Sequence, residues 1–116
     1  MNHHSKTRKF GREEGQRDAL MKSLALALIT HEKIETTHAK AKSLRPYVEH
    51  LVTKAKMNTL AARRHIISKT GSEIAAKTLV ETVAPKYKTR QGGYTRIIKL
   101  PRREADGSAM AQIEFV

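Results

Sequence analysis

The first half of the chain shows hydrophobic residues at helical spacing. Between about residues 16 and 30, apolar side chains recur on one side at a period of 3.6 residues: Leu20, Met21, Leu24, Ala27 and Leu28. Leu26 and Ile29 point in other directions, which favours a helix that is buried on more than one side. We therefore predict that this first helix is the central helix of the core.

A second helix is predicted from about His38 to Lys56, with Thr37 as its N-terminal cap. One apolar stripe runs along it: Ala41, Leu44, Val48, Leu51, Val52 and Ala55. The opposite side is polar and is expected in solvent or on a partner: Lys42, Arg45, Glu49 and Lys56. Pro46 lies inside the pattern and removes one backbone hydrogen bond, so we expect either a kink there or a later start of the helix.

Two shorter helices follow in the predicted order. The third begins after a cap at Asn58 or Thr59 and ends at Gly71. Ser72 caps the fourth helix, and Pro85 marks its end. The fourth helix has one apolar face, formed by Ala75, Ala76, Leu79, Val80 and Val83.

Three segments alternate polar and apolar residues as half-buried strands do: residues 33–37, 94–100 and 109–116. Turn residues at 105–108 separate the last two, which we expect to pair as an antiparallel hairpin with a long basic loop. A single hairpin is not stable alone in water. The order α-β-α-α-α-β-β therefore predicts an α+β fold, with four helices packed on one face of a small three-stranded sheet. We assign residues 13–116 to one domain and residues 1–12 to a basic N-terminal arm.

Charge is unevenly distributed along the 116 residues, whose net charge is +12. Residues 1–12 contain no acid and carry +4, from Lys6, Arg8, Lys9 and Arg12. Residues 86–103 also contain no acid and carry +7, from Lys86, Lys88, Arg90, Arg96, Lys99, Arg102 and Arg103. This concentration of positive charge predicts a polyanionic partner, and nucleic acid is favoured over an anionic membrane. The alternative is that the two charged runs are simply solvated surface.

Several function classes are excluded or disfavoured by the same sequence. The chain has no cysteine, so disulfides and thiolate chemistry are excluded. No stretch approaches the length of a membrane span, and the polar, basic start is unlike a signal peptide, which predicts a cytoplasmic location. Phosphate-binding loops, zinc-protease motifs and nucleophile elbows are absent. We predict that the chain is not an enzyme and takes no cofactor, metal or small-molecule substrate.

The nucleic-acid hypothesis names specific side chains. Motifs of helix-turn-helix, zinc-finger and basic-zipper proteins are missing, which favours backbone and shape recognition of folded RNA over DNA. Tyr94 or Tyr87 is predicted either to stack on a base or to pack in the core. Gly92-Gly93 is predicted either to let the backbone approach an anion or to make a tight turn into the strand. The predicted RNA-binding residues are Lys6, Arg8, Lys9, Arg12, Arg63, Arg64, Lys86, Lys88, Arg90, Tyr94, Arg96, Lys99, Arg102 and Arg103.

Four segments of the sequence form a distinctive set: the run from Arg90 to Ile97 (RQGGYTRI) with Lys99, Arg102 and Asp106, the run MAQIE at 110–114, the run HEKIETT at 31–37 with AKAK at 39–42, and the N-terminal residues His4, Lys9, Gly11 and Arg12. Together they resemble the bacterial large-subunit ribosomal protein L17 family. The resemblance implies a one-domain α+β protein that binds large-subunit rRNA near the outer opening of the peptide exit tunnel. It further implies contacts with neighbouring ribosomal proteins. We expect no membrane partner, and no homo-oligomer in the assembled state. The acidic pair Glu13-Glu14 departs from the basic pattern of the family, so no phosphate contact is expected there.

Two other functions compete with a ribosomal one. The first is a free nucleic-acid-binding regulator or nucleoid protein, which the basic segments alone would also suit. The second is a catalytic role, which no constellation of residues supports. Presence in purified large ribosomal subunits separates the leading hypothesis from the first alternative.

Overall fold

The structure, a computed structural model, describes Phe10 and residues 13–116. The predicted N-terminal arm lies, except for Phe10, outside the described residues. The elements follow in the order α1 (Glu14–His31), β1 (Lys33–Thr37), α2 (His38–Met57), α3 (Leu60–Thr70), α4 (Glu73–Thr78), β2 (Thr95–Leu100) and β3 (Met110–Phe115). The described part of the chain thus has four α-helices and one three-stranded antiparallel sheet, and the predicted α+β class and element order are confirmed.

Helix α2 is the centre of the core. Its predicted apolar stripe is confirmed residue by residue, because all six members are buried: Ala41, Leu44, Val48, Leu51, Val52 and Ala55. The Thr37 hydroxyl caps the helix by accepting a hydrogen bond from the Lys40 amide at 3.4 Å. The helix continues through Pro46, so the alternative of a later start is wrong. Helix α2 contacts all three strands of the sheet as well as α1 and α3.

The prediction that the first helix is the central one is wrong. Only three residues of α1 are buried, namely Ala25, Leu28 and Ile29, while Leu20 and Leu24 are partly exposed. The apolar residues of α1 are spread around its circumference, so a narrow strip reaches the core and the rest stays accessible. None of the helices in the part that the structure describes has the length and apolar character needed to cross a membrane.

The caps of the shorter helices are largely as predicted. Thr59 caps α3 by accepting a hydrogen bond from the Ala62 amide at 3.1 Å, and Ser72 caps α4 by accepting one from the Ala75 amide at 3.2 Å. Asn58 has a different role, because it ends α2 in the left-handed region with φ of 51°. Gly71, with φ of 71°, ends α3 as predicted.

The fourth helix does not end at Pro85. After α4 the chain continues as a π-helical turn over Leu79–Val83 and a 3-10 turn over Ala84–Tyr87. Pro85 lies in the first turn of that last segment, where the missing N–H is not needed for a helical hydrogen bond. The predicted apolar face is nevertheless buried throughout: Ala75, Ala76, Leu79, Val80 and Val83.

The sheet has the order β1-β3-β2, and both pairs are antiparallel. The predicted hairpin is therefore confirmed, with the C-terminal strand β3 in the centre. Ile113 faces Ile34 on one side and Ile97 on the other, which places these three side chains on the face that α2 covers. The other face is polar at one end, where Arg96 contacts Glu114. Since β2 runs from residue 95 to residue 100, the loop before it and the hairpin loop after it lie at opposite ends of the sheet.

Candidate nucleic-acid interface

The loop over residues 88–94, which carries part of the basic segment, is held in place from helix α2. The ammonium of Lys56 donates hydrogen bonds to the backbone carbonyl of Arg90 and to the Tyr94 hydroxyl, the latter at 3.0 Å. The loop also closes on itself, because the Arg90 amide donates to the Tyr87 carbonyl at 3.0 Å. Its backbone is therefore fixed in the isolated protein, while the side chains of Lys88 and Arg90 stay exposed.

The two tyrosines that flank this loop belong to the core. Tyr94 is 2% exposed and Tyr87 is 3% exposed, and their ring centroids lie 5.1 Å apart. The Tyr87 hydroxyl donates to the Val116 carbonyl at 2.7 Å, and Lys56 sits 5.2 Å from the centroid of the Tyr94 ring. The alternative of core packing is thus correct for both residues. Stacking of Tyr94 on a base is wrong for this fold, because neither face of the buried ring is accessible.

The start of β2 is fixed by one carboxylate of helix α2. One oxygen of Glu49 accepts the Gly93 amide at 3.0 Å, and the other accepts the Thr95 hydroxyl at 2.9 Å and the Arg45 guanidinium at 3.0 Å. Gly92 and Gly93 have φ of 83° and 65°, a conformation that glycine adopts without strain. The Gly93 amide is already used by Glu49, so the alternative of a tight turn into the strand is the one the structure supports.

These contacts also explain the ionisation of Glu49. Partial burial raises its pKa, but the hydrogen bonds from Arg45, Thr95 and Gly93 outweigh that effect and hold the pKa below the usual range. A carboxyl whose pKa is lower in the folded than in the unfolded chain adds stability above its unfolded pKa. That contribution is lost as the pH falls through the folded pKa.

We expect Glu49→Gln to lower the free energy of unfolding at pH 7 by about 1 to 2 kcal/mol. The carboxylate accepts hydrogen bonds from three donors, and glutamine removes its negative charge and one of its two accepting oxygens. The difference from wild type should shrink as the pH is lowered toward 3, because the carboxyl of the native protein takes up a proton as the pH falls through its folded pKa. Urea unfolding followed by circular dichroism at both pH values measures this. Glu81→Gln is the matched control, since Glu81 is half-exposed and lies 3.7 Å from Arg63, and it should change stability by less than about 0.5 kcal/mol. Equal losses for the two variants would contradict the role given to Glu49.

The basic side chains of residues 86–103 form two groups at the two ends of β2. The first group is Lys86, Lys88 and Arg90, and the second is Lys99, Arg102 and Arg103. The strand between them spans about 17 Å at its usual rise per residue. Arg96 lies between the groups on the outer face of the sheet.

Some of these cations contact acids of the protein itself; the cations are exposed, and of the acids only Glu114 is largely buried. Arg96 lies 2.9 Å from Glu114, Arg103 lies 3.3 Å from Asp106, and Lys86 lies 3.9 Å from Glu32. Arg102 donates to the Gly107 carbonyl at 3.0 Å. Within residues 13–116, Lys88, Arg90 and Lys99 have no acidic oxygen within 4.0 Å of their charged nitrogens. Exposed ion pairs contribute little, about 0 to 1 kcal/mol, so a phosphate can replace them.

The remaining predicted residues are placed elsewhere or not described. Arg63 and Arg64 lie on α3, where Arg63 pairs with Glu81 and Arg64 is exposed. Lys6, Arg8, Lys9 and Arg12 lie outside the described residues. No three side chains of the metal-ligating types come together in the part of the chain that is described, and the expected lack of a metal stays a prediction.

Sequence reasoning missed Glu49 and Lys56, which position the loop although they do not belong to it. Both were predicted in solvent or on a partner, because they lie on the polar side of α2. A signal was present in their spacing: residues seven apart lie on the same side of a helix, two turns from each other. The seven-residue spacing alone does not show which segment of the chain Glu49 and Lys56 contact.

Comparison with known proteins gives consistent matches over the whole chain. The family model described as "Ribosomal protein L17" matches residues 20–116. Three relatives carry the name "Large ribosomal subunit protein bL17". The protein from Persephonella marina is 53% identical over all of this chain and 95% of its own length. Those from Hydrogenobaculum sp. and Rickettsia bellii are each 49% identical over all of this chain, covering 99% and 82% of their own lengths.

Proposed function

The chain belongs to the ribosomal protein L17 family, and from this membership we propose that it is a structural constituent of the large ribosomal subunit that binds and stabilises folded large-subunit rRNA. The resemblance found in the sequence is thereby confirmed. Members of this family are structural proteins and not enzymes, so the prediction that the chain has no catalytic role is confirmed as well.

One observation supports RNA binding most directly. The segment with the highest charge, residues 86–103, has exposed cationic side chains, and Glu49 and Lys56 already hold its part between Arg90 and Thr95 in place. A surface that is ordered before binding loses less conformational entropy when it meets its partner. Phosphates are the natural ligands of such a surface, because Lys and Arg contacts to the backbone fix register and orientation on a nucleic acid.

The proposed interface combines the two groups at the ends of β2 with the arginines of α3 and the N-terminal arm. Lys88, Arg90 and Lys99 bind phosphates directly, since no acid of the described residues competes for them. Arg103 exchanges a weak surface ion pair for a phosphate, and Arg96 adds a phosphate contact beside its pair with Glu114. The proposed location is the cytoplasmic ribosome, near the outer opening of the peptide exit tunnel and beside neighbouring ribosomal proteins, as the family resemblance implies.

Quantitative mass spectrometry of purified large subunits tests the proposal. A structural constituent should be present at about one copy per subunit and should survive a high-salt wash that removes loosely bound factors. Absence from washed subunits, with recovery on chromosomal DNA or on messenger RNA, would instead favour a free nucleic-acid-binding regulator.

A further inference from the structure

A cleft of about 290 Å³ opens beside the basic loop, between the end of α2 and the helical turns that precede the loop. One wall is apolar and is formed by Val80, Ala84 and Pro85. Lys56 and Asn58 line the cleft from the end of α2, and Lys88 lines it from the residue after the 3-10 turn. Binding sites for small ligands are typically clefts that combine apolar side chains with a few polar groups.

We propose that this cleft holds one unstacked nucleotide of the bound RNA, an inference that rests on the function proposed above. The base lies against the apolar wall, and its phosphate lies between the two lysines. Sequence-specific recognition of RNA mostly uses bases that have left the stack, which proteins hold by stacking and by hydrogen bonds to the base edge.

Lys56 lines the cleft and keeps one donor for a phosphate. A lysine ammonium has three N–H donors, and two of those of Lys56 are used by the Arg90 carbonyl and the Tyr94 hydroxyl. The third donor remains for a ligand. Because the two internal contacts fix the ammonium, its placement is already set when the RNA arrives.

Asn58 supplies the group that reads a base. It ends α2 in the left-handed conformation and is exposed, so its side-chain amide is available to a ligand. An amide offers both donors and an acceptor, so it can pair with the edge of a base in a way that a lysine cannot.

The charge around the cleft favours a nucleotide over a peptide side chain. Two lysines line it, and no acid does. Lys88 also belongs to the loop that carries Arg90, so the cleft is continuous with the proposed phosphate-binding surface. A peptide of a neighbouring ribosomal protein would need acidic residues to match this site.

Nuclear magnetic resonance of the full chain tests the ligand class. Each of the four nucleoside 5′-monophosphates is titrated into the labelled protein, with inorganic phosphate and the unphosphorylated nucleosides as comparisons. We expect the amide resonances of Asn58, Val80 and Lys88 to shift. At least one monophosphate should produce these shifts at a lower concentration than inorganic phosphate does. Shifts that follow inorganic phosphate alone, or that leave Val80 unchanged, would overturn the proposal.

Variants link the cleft to RNA binding. Asn58→Gly is compatible with the left-handed backbone and removes the side chain with its amide, and we expect affinity for transcribed large-subunit rRNA to fall about 3- to 10-fold. Lys88→Ala removes one phosphate contact, whereas Lys42→Ala removes the same charge from α2 about 21 Å from Lys56 along the helix. We expect Lys88→Ala to weaken binding and Lys42→Ala to leave it unchanged.

The outcomes separate the two proposals. Wild-type binding to rRNA that Asn58→Gly leaves unchanged would overturn the nucleotide cleft and leave the proposed function standing. Failure of the wild-type chain to bind rRNA, although monophosphates shift the cleft amides, would instead count against the proposed function. Circular dichroism of each variant shows whether a loss of binding comes from unfolding.

Discussion

Leu51→Ala is expected to lower the free energy of unfolding by about 3 to 5 kcal/mol, the upper part of the range for buried leucines. Leu51 is 1% exposed and lies in the apolar stripe of α2, the helix against which both the sheet and the other helices pack. Truncation of its side chain leaves a cavity, because the surrounding elements can move inward only in part. Because a domain of this size is stable by about 5 to 15 kcal/mol, the variant loses a large part of its total stability.

Urea denaturation followed by circular dichroism measures this loss, and two leucines provide controls. Leu60→Ala makes the same chemical change at a side chain that is 64% exposed, and it should shift stability by less than about 0.5 kcal/mol. Leu24 on α1 is partly buried, so Leu24→Ala should fall between the two. An unchanged midpoint for Leu51→Ala would mean that α2 is not the centre of the core.

The elements that local patterns define were predicted well from the sequence. The stripe of α2 repeats at helical spacing over four turns, and each of its members is buried. Thr59, Ser72 and Gly71 have the local chemistry of caps, and the structure uses them as caps. The hairpin of β2 and β3 follows from alternation within two short segments. In each case the information lies within a few residues of the element.

The details that depend on distant contacts were not predictable in the same way. Tyr94 stands among basic residues, which suggested a base-stacking role, but its hydroxyl contacts Lys56, which lies 38 residues away. Glu49 is a polar residue on the outer side of a helix, yet it binds Thr95, 46 residues further along the chain. From the sequence, the interface could be predicted only as a set of charged residues. The arrangement of these residues in two groups at the ends of β2 becomes visible only once the sheet is known.

Binding of the intact protein to large-subunit rRNA should depend steeply on salt. If about six phosphates are neutralised, the logarithm of the binding constant falls with the logarithm of salt concentration by a slope of about −4 to −5. Raising salt from about 0.1 M to about 0.4 M should then weaken binding roughly 250- to 1,000-fold. Filter binding or fluorescence anisotropy with transcribed rRNA, repeated at five or more salt concentrations, measures the slope.

A matched pair of triple variants shows which charges produce that slope. Replacement of Lys88, Arg90 and Lys99 by alanine removes three cations of the segment that no acid of residues 13–116 contacts, and it should make the slope less steep by about 2 to 3. Replacement of Lys22, Lys42 and Lys77 removes the same net charge from exposed positions on α1, α2 and α4, and it should leave the slope nearly unchanged. Net charge alone would make both variants equally weak, because long-range attraction does not distinguish the positions. A difference between them therefore identifies direct phosphate contacts at the ends of β2, and equal slopes would contradict the proposed interface.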